Sequence, residues 1–146
     1  MFQNILIPTD GSDQSQRAIR TGVELAKLHG GRITGIHVIP DYHLLIAYEG
    51  AFDPVTEERI EEEAKARADA YLEFLRSAAT AAGVACATVC ETSDHPYDAI
   101  LRTADANHCD LILMTSHGRK GLAAVLLGSE TRKVLTHAKV PVLVVR

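Results

Sequence analysis

Apolar residues along the chain follow two rhythms. Short β-branched runs span Phe2 to Pro8, Arg32 to Val38, Val84 to Glu91, Asp110 to Thr115 and Pro141 to Arg146. Several, such as Ile5-Leu6-Ile7, are apolar at successive positions. A strand turns alternate side chains to opposite faces, so unbroken apolarity predicts a parallel sheet covered on both faces. Between the runs the apolar spacing widens to three and four residues, which predicts helices. The first begins near Ser12, sets Ala18, Ile19, Gly22, Val23, Leu25 and Ala26 on one stripe, and stops at Gly30-Gly31. The second opens at Asp53-Pro54, a cap followed by proline at the first helical position, and runs to about Ala82. Its Ile60, Ala64, Ala68, Tyr71, Leu72, Leu75 and Ala79 recur at helical steps. Glu61 with Lys65 and Glu63 with Arg67 are spaced for i,i+4 pairs, and the acidic run Glu57 to Glu63 reads as a solvated face at a helix amino terminus. A third helix follows Asp94-His95-Pro96, and a fourth runs from Ser129 to His137.

The order β-α-β-α-β-α-β-α-β predicts an α/β fold: an open, Rossmann-like, five-stranded parallel sheet with right-handed crossovers and helices on both faces. The expected strand order is 3-2-1-4-5. Such sheets bind ligands outside the carboxyl ends of the strands, where the order reverses. The loops of interest therefore follow Pro8, Val38 and Thr115. The connection Pro40 to Asp53 carries Tyr42, Leu44, Leu45, Ile46, Tyr48 and Phe52, too apolar for a solvated loop, and is expected to cover the site or to meet another subunit.

Composition narrows the classes. A chain of 146 residues with 47% hydrophobic content supports one buried core, so residues 1–146 are read as a single domain. No apolar run approaches the roughly 20 residues of a membrane-spanning helix, and the amino terminus lacks a secretory pattern. A cytoplasmic protein without membrane insertion is expected. The net charge of -4 argues against nucleic acid as a partner. Cys86 and Cys90 share a predicted strand at a separation of about 13 Å, too far for a disulfide. With Cys109 they are read as buried or half-buried reduced thiols.

Candidate chemistry concentrates in Thr115 to Ser129, between the fourth strand and the last helix. Gly118, Gly121 and Gly128 let backbone amides approach an anion, and a helix beginning at Ser129 points its free amides and dipole the same way. The segment is neither the G-x4-G-K-[ST] loop nor a G-x-G-x-x-G turn after the first strand. On spacing alone, these glycines serve equally well as turn and helix-start residues.

Further residues make the pattern specific: the opening Ile5-Leu6-Ile7-Pro8-Thr9-Asp10-Gly11-Ser12, the pair His37-Val38, the loop Ser116-His117-Gly118-Arg119, Leu126-Leu127-Gly128-Ser129, and the closing Pro141-Val142-Leu143-Val144-Val145. Over nearly its whole length the chain resembles the universal stress protein family, in particular its nucleotide-binding branch. That branch carries G-x2-G-x9-G-[ST], which registers here on Gly118, Gly128 and Ser129 with the nine-residue spacer intact; the first glycine falls on Thr115. The resemblance implies that ATP binds, with Mg²⁺ a candidate companion near Ser129. It also implies that the turn Pro8-Thr9-Asp10 faces ribose and adenine, that Val38 meets adenine through its main chain, and that Thr115, Gly118, Arg119, Gly128, Ser129 and Glu130 surround the phosphates. A homodimer through the strand Pro141 to Arg146 is implied as well, and that strand ends a sheet edge open to pairing.

Several residues carry two readings. Asp10 either contacts ligand or caps the following helix; Ser129 serves as an N-cap hydroxyl and a phosphate contact together. Arg119 and Lys120 offset phosphate charge or are simply solvated. His117 is a structural histidine or a general base. The leading function is a nucleotide-responsive regulatory or stress-response dimer, read by an unidentified protein partner. The alternatives are a nucleotide-independent interaction module whose pocket is narrowed by Thr115, and a slow ATPase. No catalytic set or metal-ligand spacing is readable.

Overall fold

The computed structural model of the chain describes residues 1–42, 54–117 and 127–146. Its elements run in the order β1 (Asn4–Pro8), α1 (Asp13–His29), β2 (Arg32–Ile39), α2 (Pro54–Ala81), β3 (Cys86–Thr92), α3 (Pro96–Ala106), β4 (Leu111–Thr115), α4 (Ser129–His137) and β5 (Val142–Val145). All four strand pairings are parallel, and the sheet order is β3-β2-β1-β4-β5. This is the expected doubly wound α/β fold.

The continuous apolar runs are explained by burial on two sides. In β1, Ile5 and Ile7 face a core with Ile19, Ile33, Leu75 and Leu113 beneath α1 and α2. The residue between them, Leu6, faces Ile36, Ile100, Ile112 and Val134 beneath α3 and α4. All three β1 side chains are fully buried, as the central strand of a covered sheet requires.

Polar contacts lock the amino-terminal end of the sheet. The Asp110 carboxylate accepts the amides of Gln3 at 2.7 Å and Asn4 at 3.1 Å. Buried Asn4 donates its side-chain amide to the Asn107 carbonyl at 2.8 Å and accepts the Thr34 hydroxyl at 3.0 Å. One side chain thereby fixes β1 against its neighbours on both sides.

Three expectations need correction. Glu63 lies 3.9 Å from Arg59, one turn back, instead of pairing with Arg67. Of the cysteines, Cys109 is buried and Cys86 half-buried, but Cys90 is exposed: Cys86 and Cys90 lie on one face of the edge strand β3, and only Cys86 packs against the core. Burial raises all three thiols above the ordinary range, with Asp69 adding to the effect at Cys90. At the start of α4 the N-cap is Gly128, and Ser129 is the first helical residue. Among the described residues, no helix is long and apolar enough to cross a membrane.

Candidate functional site

The strand order reverses at β1, which has β2 on one side and β4 on the other, and a crevice opens above their carboxyl ends. The cavity there measures about 660 Å³, within the roughly 300–1,000 Å³ typical of small-molecule sites. Pro8, Thr9, Asp10, Val38, Thr115, Gly128, Ser129 and Glu130 all line it. The expected residues Gly118 and Arg119 lie outside the described residues, as do Lys120 and Gly121. So does most of the Pro40 to Asp53 connection, of which Pro40 and Tyr42 line the cavity.

The first wall is the turn after β1. Ser12, not Asp10, caps α1: its hydroxyl accepts the Ser15 amide at 3.2 Å. Asp10 orients that cap by accepting the Ser12 amide at 3.0 Å and the Ser12 hydroxyl on the same oxygen. Gly11 takes a positive φ of 76° and packs against Tyr71 from α2; a Cβ there would stand 2.2 Å from the ring. Only glycine fits both demands.

The second wall is the end of β2, which outruns β1. The Thr9 amide donates to the Ile36 carbonyl at 2.9 Å, and β1 pairs with β2 no further than Pro8 with Ile36. Main-chain groups two residues apart on a strand project the same way, so the Val38 amide and carbonyl point to the side β1 has vacated. Neither has a hydrogen bond among the described residues. They present one donor and one acceptor side by side at the cavity.

The third wall joins the end of β4 to α4. The Gly128 amide donates to the Ser116 carbonyl at 2.7 Å, and the Thr131 hydroxyl donates to the Thr115 carbonyl at 2.9 Å. A Cβ on Gly128 would stand 3.2 Å from the Ser116 carbonyl oxygen, a tight contact that would make the turn give by a few tenths of an ångström. Gly128 is itself the N-cap of α4, and Ser129 is its exposed first residue; the expected N-cap hydroxyl is therefore displaced by one position. Among the described residues no side chain caps this helix, so they leave its first-turn amides to an acceptor. Thr115 does not fill the cavity: its hydroxyl donates to the His117 carbonyl at 2.7 Å and ties down the turn. His117 Nδ1 shares a 2.9 Å hydrogen bond with the Ser116 hydroxyl, and its Nε2 is the one buried, unpartnered side-chain polar atom among the described residues. Both Glu130 carboxylate oxygens are engaged, by the Tyr97 amide at 2.8 Å and by Lys133 Nζ at 2.9 Å, so this side chain faces α3 more than any anion.

Sequence reasoning missed the α2 side of the cavity. Ala64, Arg67 and Tyr71 line it, one helical turn apart, and His37 stands against Tyr71 with ring centroids 5.2 Å apart. The signal is the three- and four-residue spacing from 64 to 71, which fits burial and an ion pair equally well. Among the described residues no group of three metal-ligating side chains occurs.

An open parallel sheet with a crevice at its reversal point defines a doubly wound α/β fold. More closely, the chain belongs to the universal stress protein family, whose family model matches residues 1–146. A universal stress protein of Thermus aquaticus is 33% identical over 149 residues, covering all of both chains. The solved structure of MJ0577, a universal stress protein of Methanocaldococcus jannaschii, superposes with a TM-score of 0.80 at 28% identity, covering 99% of this chain and 96% of that one. Two more distant structures share the fold: a universal stress protein in complex with cAMP (24% identity, TM-score 0.68, 99% and 97% covered) and one from Archaeoglobus fulgidus in complex with dAMP (21%, 0.72, 99% and 98%).

Proposed function

We propose that this chain is a single nucleotide-binding domain that takes an adenine nucleotide, ATP in particular, into the crevice and acts as a nucleotide-responsive regulatory protein in stress. The observation that carries the proposal is the pairing of two open main-chain features across one cavity: the Val38 amide and carbonyl at one wall, and the uncapped start of α4 behind Gly128 at the other. The first suits the edge of a base; the second suits phosphate oxygens. Asp10 stands between them on the turn after β1, within reach of a ribose. Gly118 and Arg119 complete the phosphate end in this proposal, Ser129 and Glu130 contribute main-chain amides, and Mg²⁺ enters with the triphosphate. The adenine nucleotides bound by the two distant fold neighbours agree with this choice of ligand.

A nucleotide held at α4 ties the Gly128–Thr131 turn to the end of β4, next to β5. The β5 edge exposes Leu143, and we place the homodimer contact along Pro141 to Arg146, so that ligand and dimer surface share one segment of backbone. Binding, not turnover, is the activity proposed.

The test is to heat the purified protein, chromatograph what is released, and then follow thermal unfolding with added ATP. Released adenine nucleotide and a raised Tm are expected, since a ligand at 100 times its Kd stabilises the folded state by about 2.7 kcal/mol. No nucleotide released and no shift would favour the nucleotide-independent interaction module.

A further inference from the structure

The parallel ladder between β1 and β2 stops one rung early. Its last bond runs from the Thr9 amide to the Ile36 carbonyl at 2.9 Å. In a parallel pair the next bond of the series joins the Val38 amide to the Thr9 carbonyl. That bond is absent among the described residues. The Thr9 carbonyl accepts instead from His37 Nδ1, at 2.7 Å. A carbonyl can only accept, so the ring proton sits on Nδ1. The ring is held in place by an edge contact with Tyr71, at an interplanar angle of 70°.

We propose that His37 is a positioning residue: by donating to the Thr9 carbonyl it replaces the last ladder rung and keeps the Val38 amide open, beside the Val38 carbonyl, to the base of a bound nucleotide. This rests on the nucleotide reading above and deepens it to a base preference. The free pair offers one donor and one acceptor. A 6-aminopurine presents the complement, a ring-nitrogen acceptor beside an amine donor. A 6-oxopurine presents the reverse, a ring N–H beside a carbonyl, and is disfavoured. The Val38 side chain takes no part, because the recognising groups are main chain; the determinant is the preceding residue, whose side chain decides whether the Val38 amide is spent within the sheet.

The experiment measures amide hydrogen exchange at Val38 by NMR in the full-length protein, together with calorimetric titration of ATP and inosine triphosphate. The proteins are the wild type, His37→Asn, which retains a side-chain N–H near the position of Nδ1, and His37→Leu, which does not. In the wild type without nucleotide the Val38 amide should exchange as an open amide, and ATP should slow it. ATP should bind about tenfold more tightly than the inosine nucleotide, the scale of one or two hydrogen bonds. His37→Leu should close the rung, protecting Val38 without nucleotide and weakening ATP by about tenfold, while His37→Asn stays near the wild type in both. Protection of Val38 in the nucleotide-free wild type overturns the proposal and needs no variant to fold. Unchanged exchange and unchanged ATP affinity in His37→Leu overturn it as well. A wild type that binds no nucleotide at all contradicts the nucleotide reading instead, and the exchange at Val38 still decides the role of His37.

Discussion

The Tyr71 ring occupies the space that a side chain on Gly11 would need, with its Cε1 atom 2.2 Å from the ideal Cβ position. The two residues lie 60 positions apart, and their contact joins the turn after β1 to α2 across the mouth of the cavity. Gly11→Ala should therefore cost about 2–3 kcal/mol, from the positive φ and the clash together. Chemical denaturation of Gly11→Ala, Tyr71→Ala and the double variant checks this. The double variant should be less destabilised than the sum of the singles, because removing the ring relieves the clash; strict additivity would mean the contact is not formed.

At the opposite end of the sheet, Asn4 is predicted to be a structural key. Asn4→Ala removes the acceptor of the buried Thr34 hydroxyl and the side-chain donor to the Asn107 carbonyl. A loss of about 2 kcal/mol is expected from unmet buried hydrogen bonds. Because this network lies far from the crevice, ligand affinity measured well below the variant's Tm should stay unchanged, and a parallel loss of affinity would contradict that separation.

The thiols give a pH-dependent prediction. Burial disfavours the thiolate at Cys86, Cys90 and Cys109, raising each above the ordinary thiol value, so the reactive form is scarce at neutral pH. Iodoacetamide should label Cys90 first, since it is the exposed one, and more slowly than a free cysteine peptide at pH 7. The rate should climb as pH rises through and beyond the ordinary thiol range. Mass spectrometry of a time course reads this directly; rapid labelling of Cys109 in the folded protein would contradict the burial assigned to it.

Much of the fold was legible because both rhythms in the sequence report burial. Ile5-Leu6-Ile7 fits a strand covered on both faces, and the stripe of Ala64, Ala68, Leu72, Leu75 and Ala79 fits a helix lying on one of them. The site was legible where it is made of main chain: Gly128 marks a close backbone approach, and the loops at the reversal point follow from strand order. What could not be read were choices between partners equally near in sequence. Spacing allowed Glu63 to meet Arg67 or Arg59, and local composition let either Asp10 or Ser12 cap α1. The role of His37 depends on where β1 ends relative to β2, a register that no local pattern reveals. The one-residue shift at Ser129 has the same origin, since the contact of Gly128 with Ser116 fixes where α4 can start.

The central claim is that bare backbone at Gly128 and the helix start behind it hold a triphosphate. Titration calorimetry with ATP and Mg²⁺ on the wild type and on Gly128→Val tests it most directly, with circular dichroism to verify that the variant is folded. Saturable binding to the wild type, weakened at least about tenfold in the variant by the side chain forced against the Ser116 carbonyl, is the predicted result. Absence of binding to the wild type, or equal affinity in the two proteins, would contradict it.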